Sequence, residues 1–257
     1  MFHRWRHPTR CYAICAVARS GSNLLCDGLR ETGQAGRPKQ FFCDKLETKY
    51  GERSGFDPAH DYAGYVRGIV QTTASRNGVF GFRLMGWDLH SFVRRLRDCR
   101  GFGAPEASDF EVLRAAFPRL QFVQIRRRDR LRQAISKARA LQTDLWKIGD
   151  GKAAAAQAKF DPELISHSIK DVTREEEIWS DFFTNNGIEP FRVDYEELAG
   201  DYKRVIAAVL AFLRIRLPRG TAVSDASTIR QSDDISQEWE RRYRALAAER
   251  SDLLSYV

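Results

Sequence analysis

Tyr12–Leu25 reads YAICAVARSGSNLL, and the fold turns on how this junction is read. An apolar strand, about Tyr12–Ala18, runs into Arg19-Ser20-Gly21-Ser22-Asn23 and then into an apolar-periodic helix over Asn23–Thr32. A short loop of small residues that opens a helix presents free backbone N–H groups and the positive end of the helix dipole. Such a turn suits a phosphate-like anion, and Arg19 adds a full positive charge. It is not a Walker A loop, which needs G-x-x-x-x-G-K-[ST] with a Lys on the terminal phosphates. Gly21 is the loop's only glycine and Asn23 stands where that Lys would follow, so the anionic group differs from that of a kinase or NTPase. The competing reading is a well-capped helix, with Ser20 or Ser22 as N-cap.

Outward from this turn, strand and helix signals alternate. An extended piece is expected around Gln40–Phe42, after Pro38. Residues 44–76 read as an irregular, acceptor-side insertion. Asn77–Met85 reads as a strand after an Asn-Gly turn. A helix follows over Leu89–Cys99, then one capped by Ser108 or Asp109 and ending at Phe117. Leu120–Arg126 is a clear strand with a long helix directly behind it. Residues 149–159 are low in complexity and read as a mobile loop. Leu164–Phe183 is helical, Pro190–Leu198 starts as a strand, and Val205, Ile206, Val209, Phe212 and Leu213 recur at helical spacing. Ile235–Arg250 is a charged helix carrying Trp239 and Tyr243. This alternation predicts an α/β fold, a mainly parallel sheet with helices on both faces, in one domain over 1–257. Ligands of such sheets bind beyond the carboxyl ends of the strands.

Composition agrees. The chain has 257 residues, 43% of them hydrophobic and 11% aromatic, enough for a full core. No apolar run approaches the roughly 20 residues a bilayer crossing needs. The basic start MFHRWRHPTR has no apolar h-region after it, so no signal peptide is expected. Cys11, Cys15, Cys26, Cys43 and Cys99 are odd in number and form no C-x-x-C pair, which suggests reduced thiols and a cytoplasmic protein. Cys11 and Cys15 share a strand face and read as core filler. The five histidines have no ligand spacing, so no metal is expected.

The net charge is +8, with a basic cluster at residues 126–132. Ile125–Ser136 (IRRRDRLRQAIS) places Arg126, Arg127 and Arg128 at a strand exit and Ser136 on the helix behind. Guanidinium forks suit phosphate, and a Ser hydroxyl can support them. The plain alternative is a solvated basic helix face with Asp129 as its cap. A nucleic-acid reading rests on charge alone, because the stretch lacks the interleaved aromatics of a base-stacking platform. With the Arg19 turn, this makes two separate anion sites on one sheet edge. A nucleotide with phosphate at both its 5′ and 3′ ends needs that arrangement.

These motifs carry a family resemblance. Arg19-Ser20-Gly21-Ser22-Asn23-Leu24-Leu25 is similar to an RSGST-LL turn, and Arg127, Asp129, Gln133, Ala134 and Ser136 to R-x-D-x-x-x-QA-x-S. Arg139-Ala140, Gln142-Thr143 and Trp146 are similar to RA-x-QT-x-x-W, and Arg230–Arg244 to a closing RQ…EW…RYR. The chain resembles bacterial sulfotransferases of the trehalose 2-sulfotransferase type from about Cys11 to Arg244. The resemblance implies a nucleotide-kinase-like three-layer α/β/α fold and a 3′-phosphoadenosine-5′-phosphosulfate (PAPS) donor. Arg19, Ser20, Gly21, Ser22 and Asn23 would hold the 5′-phosphosulfate, and Arg127 with Ser136 the 3′-phosphate, with Arg230 adding a contact. It also implies a carbohydrate or glycolipid acceptor, and its members can form dimers.

In the family, a Glu before a Phe-Phe pair is the general base, and here that position is Gln40. A Gln amide orients a hydroxyl but takes up no proton at neutral pH. Three explanations stand open. Another group supplies the base, with Asp44, Glu47, Asp61 and His90 as candidates. Or a loose transition state needs little base help. Or the protein binds nucleotide without catalysis. Arg83 stands where the family commonly has Lys, and its plain reading is a structural residue near Trp87.

Overall fold

The computed structural model describes residues 8–99, 101–102, 106–146, 158–225 and 234–249. Four strands, β1 (Arg10–Ala16), β2 (Val79–Met85), β3 (Leu120–Arg126) and β4 (Phe191–Asp194), form one sheet in the order β2-β1-β3-β4. Every pairing is parallel. The register sets Ala16 beside both Met85 and Ile125, so the strands discharge their loops at one level rim. Parallel neighbours need crossovers, and helices supply them. Between β1 and β2 lie α1 (Ser22–Glu31), α2 (Asp44–Ser54) and α3 (Tyr62–Thr73), and between β2 and β3 lie α4 (Leu89–Arg97) and α5 (Asp109–Ala116). Between β3 and β4 run α6 (Arg130–Thr143) and α7 (Pro162–Asn185). After β4 come α8 (Tyr195–Gly200), α9 (Tyr202–Phe212) and α10 (Asp234–Glu249). The adjacent strands β1 and β3 are not consecutive in the chain, so a ligand-binding crevice is expected where their loops part.

The central strand is buried on both sides, and its alternate residues enter different cores. Cys11, Ala13 and Cys15 face an aromatic core of Phe41, Phe42, Phe80, Phe82, Phe92 and Phe117. There the Phe42 and Phe92 rings stack at 4.4 Å. Tyr12, Ile14 and Ala16 face α1 and α9 through Leu25, Leu29, Val205, Ile206 and Val209. Burial pushes the Cys11 thiol up to about 12, which fits an inert core filler. A third cluster joins α6, α7 and α10 through Ile135, Ile165 and Tyr243.

One glycine in the sheet is dictated by its partner. Tyr12 pairs with Gly81, and its hydroxyl donates to the Ala35 carbonyl at 2.7 Å. A Cβ on Gly81 would lie 2.5 Å from Tyr12 Cε1. Gly81→Ala is therefore expected to cost about 1–3 kcal/mol by overpacking, read as a lowered denaturation midpoint. An unchanged midpoint would count against this packing.

The expected irregular insertion at 44–76 is corrected. Its two halves are α2 and α3, joined by a short connection. In α3 the buried Tyr62, Tyr65, Val66, Ile69 and Val70 form a helical stripe against the aromatic core. In α2 the helix rests on few apolar contacts, and Glu47 and Asp44 both pair with Arg95 of α4. Gln40–Phe42 lies outside any strand. Phe41 and Phe42 are buried there, and the Lys39 carbonyl accepts from the Arg83 amide at 2.9 Å. Strand β1 begins and ends two residues earlier than its expected span. Most of the expected loop at 149–159 lies outside the described residues, as does Arg230. Among the described residues, no helix is long and apolar enough to cross a membrane.

Candidate active site

The turn after β1 has unusual backbone geometry. Arg19 has φ 62° and Gly21, the N-cap of α1, has φ 87°. No side chain caps α1, so neither Ser20 nor Ser22 plays the capping role, and the first-turn amides face outward without one. The Ser20 hydroxyl is buried without a hydrogen-bond partner. A left-handed non-glycine residue costs on the order of 1–3 kcal/mol and persists only where the surroundings enforce it. Here they do. Trp179 Nε1 donates to the Ala16 carbonyl at 3.1 Å, and Gln133 Nε2 donates to the Ala18 carbonyl at 2.7 Å. Tyr195, the first residue of α8, packs over Gly21 so closely that a Cβ there would overlap its ring.

The Arg19 side chain turns toward α6. Its Nε donates to Ser136 Oγ at 2.9 Å and its NH1 to the Trp146 carbonyl at 2.7 Å. The two anion sites expected to be separate are thus in direct contact. Burial, together with the nearby charges of Arg127 and Arg139, lowers the proton affinity of Arg19. Arg127 lies 4.8 Å over the Tyr195 ring, and its Nε is buried without a hydrogen-bond partner. Burial lowers its proton affinity too. Half-buried guanidiniums of like charge held near one another are unfavourable to each other and favourable to an anion.

Its neighbours point away, as alternation along a strand exit requires. Arg126 pairs with Asp194 at 2.6 Å, and Arg128 pairs with Asp194 at 2.7 Å and with Glu197. Only Arg127 of the three enters the site. Arg130 pairs with Glu176 and Arg132 with Glu240, each at 2.7 Å. The charge that motivated a nucleic-acid reading is largely neutralised locally. Asp129 does cap α6, accepting from the Arg132 amide at 2.9 Å.

A second row of side chains runs from the loop toward the end of β2. Arg83 NH1 donates to Asn23 Oδ1 and, at 3.3 Å, to Ser22 Oγ. Its NH2 donates to Gln40 Oε1 at 2.9 Å, and Gln40 Nε2 donates to Asp88 Oδ2 at 2.8 Å. Arg83 therefore bridges the Arg19–Asn23 turn to Gln40. Asp88 closes the short helical turn Gly86–Asp88 after β2 and is buried, while Trp87 beside it is 46% exposed. This turn presses on α7, where a Cβ on Gly86 would meet the Glu175 carbonyl at 2.9 Å.

The four expected base candidates are engaged elsewhere. Asp44 pairs with Arg95 at 3.0 Å. Glu47 is buried, accepts from the Tyr62 hydroxyl at 2.8 Å and pairs with Arg95. Asp61 caps α3 through the Gly64 amide at 2.7 Å. His90 is exposed near Asp109. Sequence reading passed over Asp88 and Tyr195 and met Arg139 only within a motif. Asp88 and Tyr195 each lie just beyond a strand's carboxyl end, in the segments GFRLMGWD and VDYEE, and that position was the available signal. Among the described residues, no group of three His, Cys, Asp or Glu converges as a metal site.

The fold is a parallel α/β sheet whose carboxyl rim gathers an uncapped helix terminus and the half-buried guanidiniums of Arg19 and Arg127. The chain belongs to the Stf0 sulphotransferase family, whose profile matches residues 11–246. It is 31% identical to the trehalose 2-sulfotransferase of Mycolicibacterium smegmatis, covering 93% of this chain and 95% of that protein. It is 30% identical to the trehalose 2-sulfotransferase of Mycobacterium tuberculosis, covering 93% and 96%. Among solved structures, the sulfotransferase of Alicyclobacillus acidocaldarius aligns over 98% of this chain and 97% of its own, at TM-score 0.49 and 15% identity. The sulfotransferase domain of the Synechococcus PCC 7002 olefin synthase covers 95% and 92%, at TM-score 0.48 and 12% identity.

Proposed function

We propose that this sulfotransferase-family protein moves a sulfuryl group from PAPS to a hydroxyl of a carbohydrate or glycolipid, with a trehalose-like sugar as the favoured acceptor. The observation that carries the reading is the hydrogen bond of Arg19 to Ser136 with the charge of Arg127 close by, within a chain homologous over its length to two trehalose 2-sulfotransferases. The uncapped α1 and the partnerless Ser20 Oγ and Arg127 Nε are donors that phosphate oxygens would satisfy.

PAPS supplies an activated sulfuryl group on a phosphate leaving group. The protein's part is positioning and charge stabilisation, as in phosphoryl transfer. Arg19 and the amides of Gly21, Ser22 and Asn23 would hold the 5′ end, while Arg127 and Ser136 would hold the 3′-phosphate. Arg19 reaches both halves, which ties donor binding to stabilisation of the leaving phosphate. Trp87, next to Asp88 in the chain and 46% exposed, offers a ring on which the apolar face of a sugar can rest. Gln40, locked between Arg83 and Asp88, would orient the attacking hydroxyl.

Incubation with 35S-labelled PAPS and trehalose tests the reading. Labelled sugar and tight binding of 3′,5′-ADP by calorimetry are expected. Binding without transfer to trehalose, maltose or glucose favours a non-catalytic nucleotide-binding protein, the reading that Gln40 raises. Failure to bind 3′,5′-ADP overturns the PAPS assignment itself.

A further inference from the structure

We infer that Asp88 is the proton acceptor for the attacking hydroxyl, filling the role that the Gln40 amide cannot. The inference rests on the sulfotransferase reading above. Arg83 fixes the Gln40 amide by donating to Oε1 at 2.9 Å, which turns Nε2 onto Asp88 Oδ2 at 2.8 Å. The carboxylate therefore lies one side chain beyond Gln40, on the row that begins at Ser22 and Asn23 of the anion turn. Among the described residues, no ion pair is formed by Asp88, whereas Asp44 and Glu47 nearby both pair with Arg95. A buried carboxylate without a counterion is costly, and such groups cluster at functional sites. Trp87, the next residue, is 46% exposed, so this turn lies at the protein surface.

The groups facing Asp88 are Gln40 and Cys43 from the segment before α2, Asp44 at the start of α2, and Trp87 on its own turn. Burial pushes the Asp88 carboxyl up to about 6, opposed by hydrogen bonding from Gln40, Cys43 and Trp87 and assisted by the like charge of Asp44. A base poised there is mostly ionised at neutral pH yet basic enough to take a proton. In the step, the acceptor oxygen forms a bond to sulfur as the sulfur–oxygen bond to the nucleotide phosphate breaks. The electron pair leaves with the phosphate, and the hydroxyl proton passes to Asp88.

The test compares wild type, Asp88→Asn and the exchanged pair Gln40→Glu/Asp88→Asn. Turnover is followed with PAPS and trehalose, maltose or glucose, alongside 3′,5′-ADP binding. Asp88→Asn is expected to lower kcat by about 10²–10⁴-fold with nucleotide affinity unchanged. Wild-type kcat should fall as pH drops through about 6, where Asp88 becomes protonated. That limb should be absent from the residual activity of Asp88→Asn. The exchanged pair keeps the hydrogen bond with carboxylate and amide swapped, and should recover part of the rate. In the wild type, 13C-labelled Asp88 should titrate near 6 by NMR, a readout that needs neither turnover nor a folded variant. Asp88→Asn turning over within threefold of wild type, or Asp88 titrating near the ordinary carboxylate value, overturns the inference alone. A wild type that binds 3′,5′-ADP but transfers sulfate to none of the sugars overturns the sulfotransferase reading and this inference with it.

Discussion

Arg19→Ala is expected to lower sulfate transfer by about 10²–10³-fold, the usual cost of removing one preorganised donor to a developing anion, while the melting temperature holds or rises. The two effects have opposite signs because the half-buried guanidinium of Arg19 sits near those of Arg127 and Arg139. Removing it takes away the charge that would meet the leaving phosphate, and it also relieves repulsion in the free protein. The lost hydrogen bonds to Ser136 and the Trp146 carbonyl each offset about 1 kcal/mol of that relief. Arg19→Lys is not expected to restore the rate, since an ammonium cannot reach Ser136, the Trp146 carbonyl and a phosphate at once. Arg19→Gly should be as inactive as Arg19→Ala but more stable by roughly 1–2 kcal/mol, because glycine accepts the left-handed backbone. Steady-state kinetics beside calorimetry separates these terms. Turnover by Arg19→Ala within threefold of wild type would sink the assignment of this loop.

Gly21→Ala should abolish measurable 3′,5′-ADP binding and destabilise the fold together. Gly21 has φ 87°, and an added Cβ would sit 3.1 Å from Tyr195 Cε2 and closer still to Cδ2. The left-handed backbone alone costs about 1–2 kcal/mol with a side chain present, and overpacking adds about 1–3 kcal/mol. The ring cannot simply withdraw, because it also lies against Arg127. The turn must open instead, and its amides then lose their common focus. A double-mutant cycle with Tyr195→Ala divides the two costs: steric overlap is relieved in the double variant, whereas backbone strain is not. A Gly21→Ala protein that binds 3′,5′-ADP as wild type does would show that the turn is not the nucleotide's 5′ cradle.

Much of this was legible from local pattern. Leu120–Arg126 is a strand over the expected residues, because seven apolar-rich residues end abruptly in charge. Ser108 caps α5 in a full capping box with Glu111, as its position before an apolar run implied. The 44–76 stretch was misread because α2 carries charged residues where an amphipathic stripe is looked for, and its support comes from Arg95, about fifty positions away. The surroundings of the base candidates were hidden for a similar reason. Asp44 and Glu47 meet Arg95, Asp61 caps α3 and the exposed His90 lies 3.9 Å from Asp109, contacts that the linear order conceals.

By itself, the sequence determined the alternating α/β architecture, and it raised the Arg19–Asn23 turn and the Arg127 and Ser136 motif as expectations. Periodicity, loop composition and residue spacing are local properties, and they survive in one dimension. Tertiary structure alone decided which of Arg126, Arg127 and Arg128 turns inward and that Arg19 meets Ser136 directly. It also decided that a buried Asp88 stands behind Gln40. Those outcomes depend on the parallel register, which sets the exits of β1, β2 and β3 side by side. Only that alignment brings residues 19, 40, 88 and 136 onto one rim, where burial and neighbouring charge give each its chemistry.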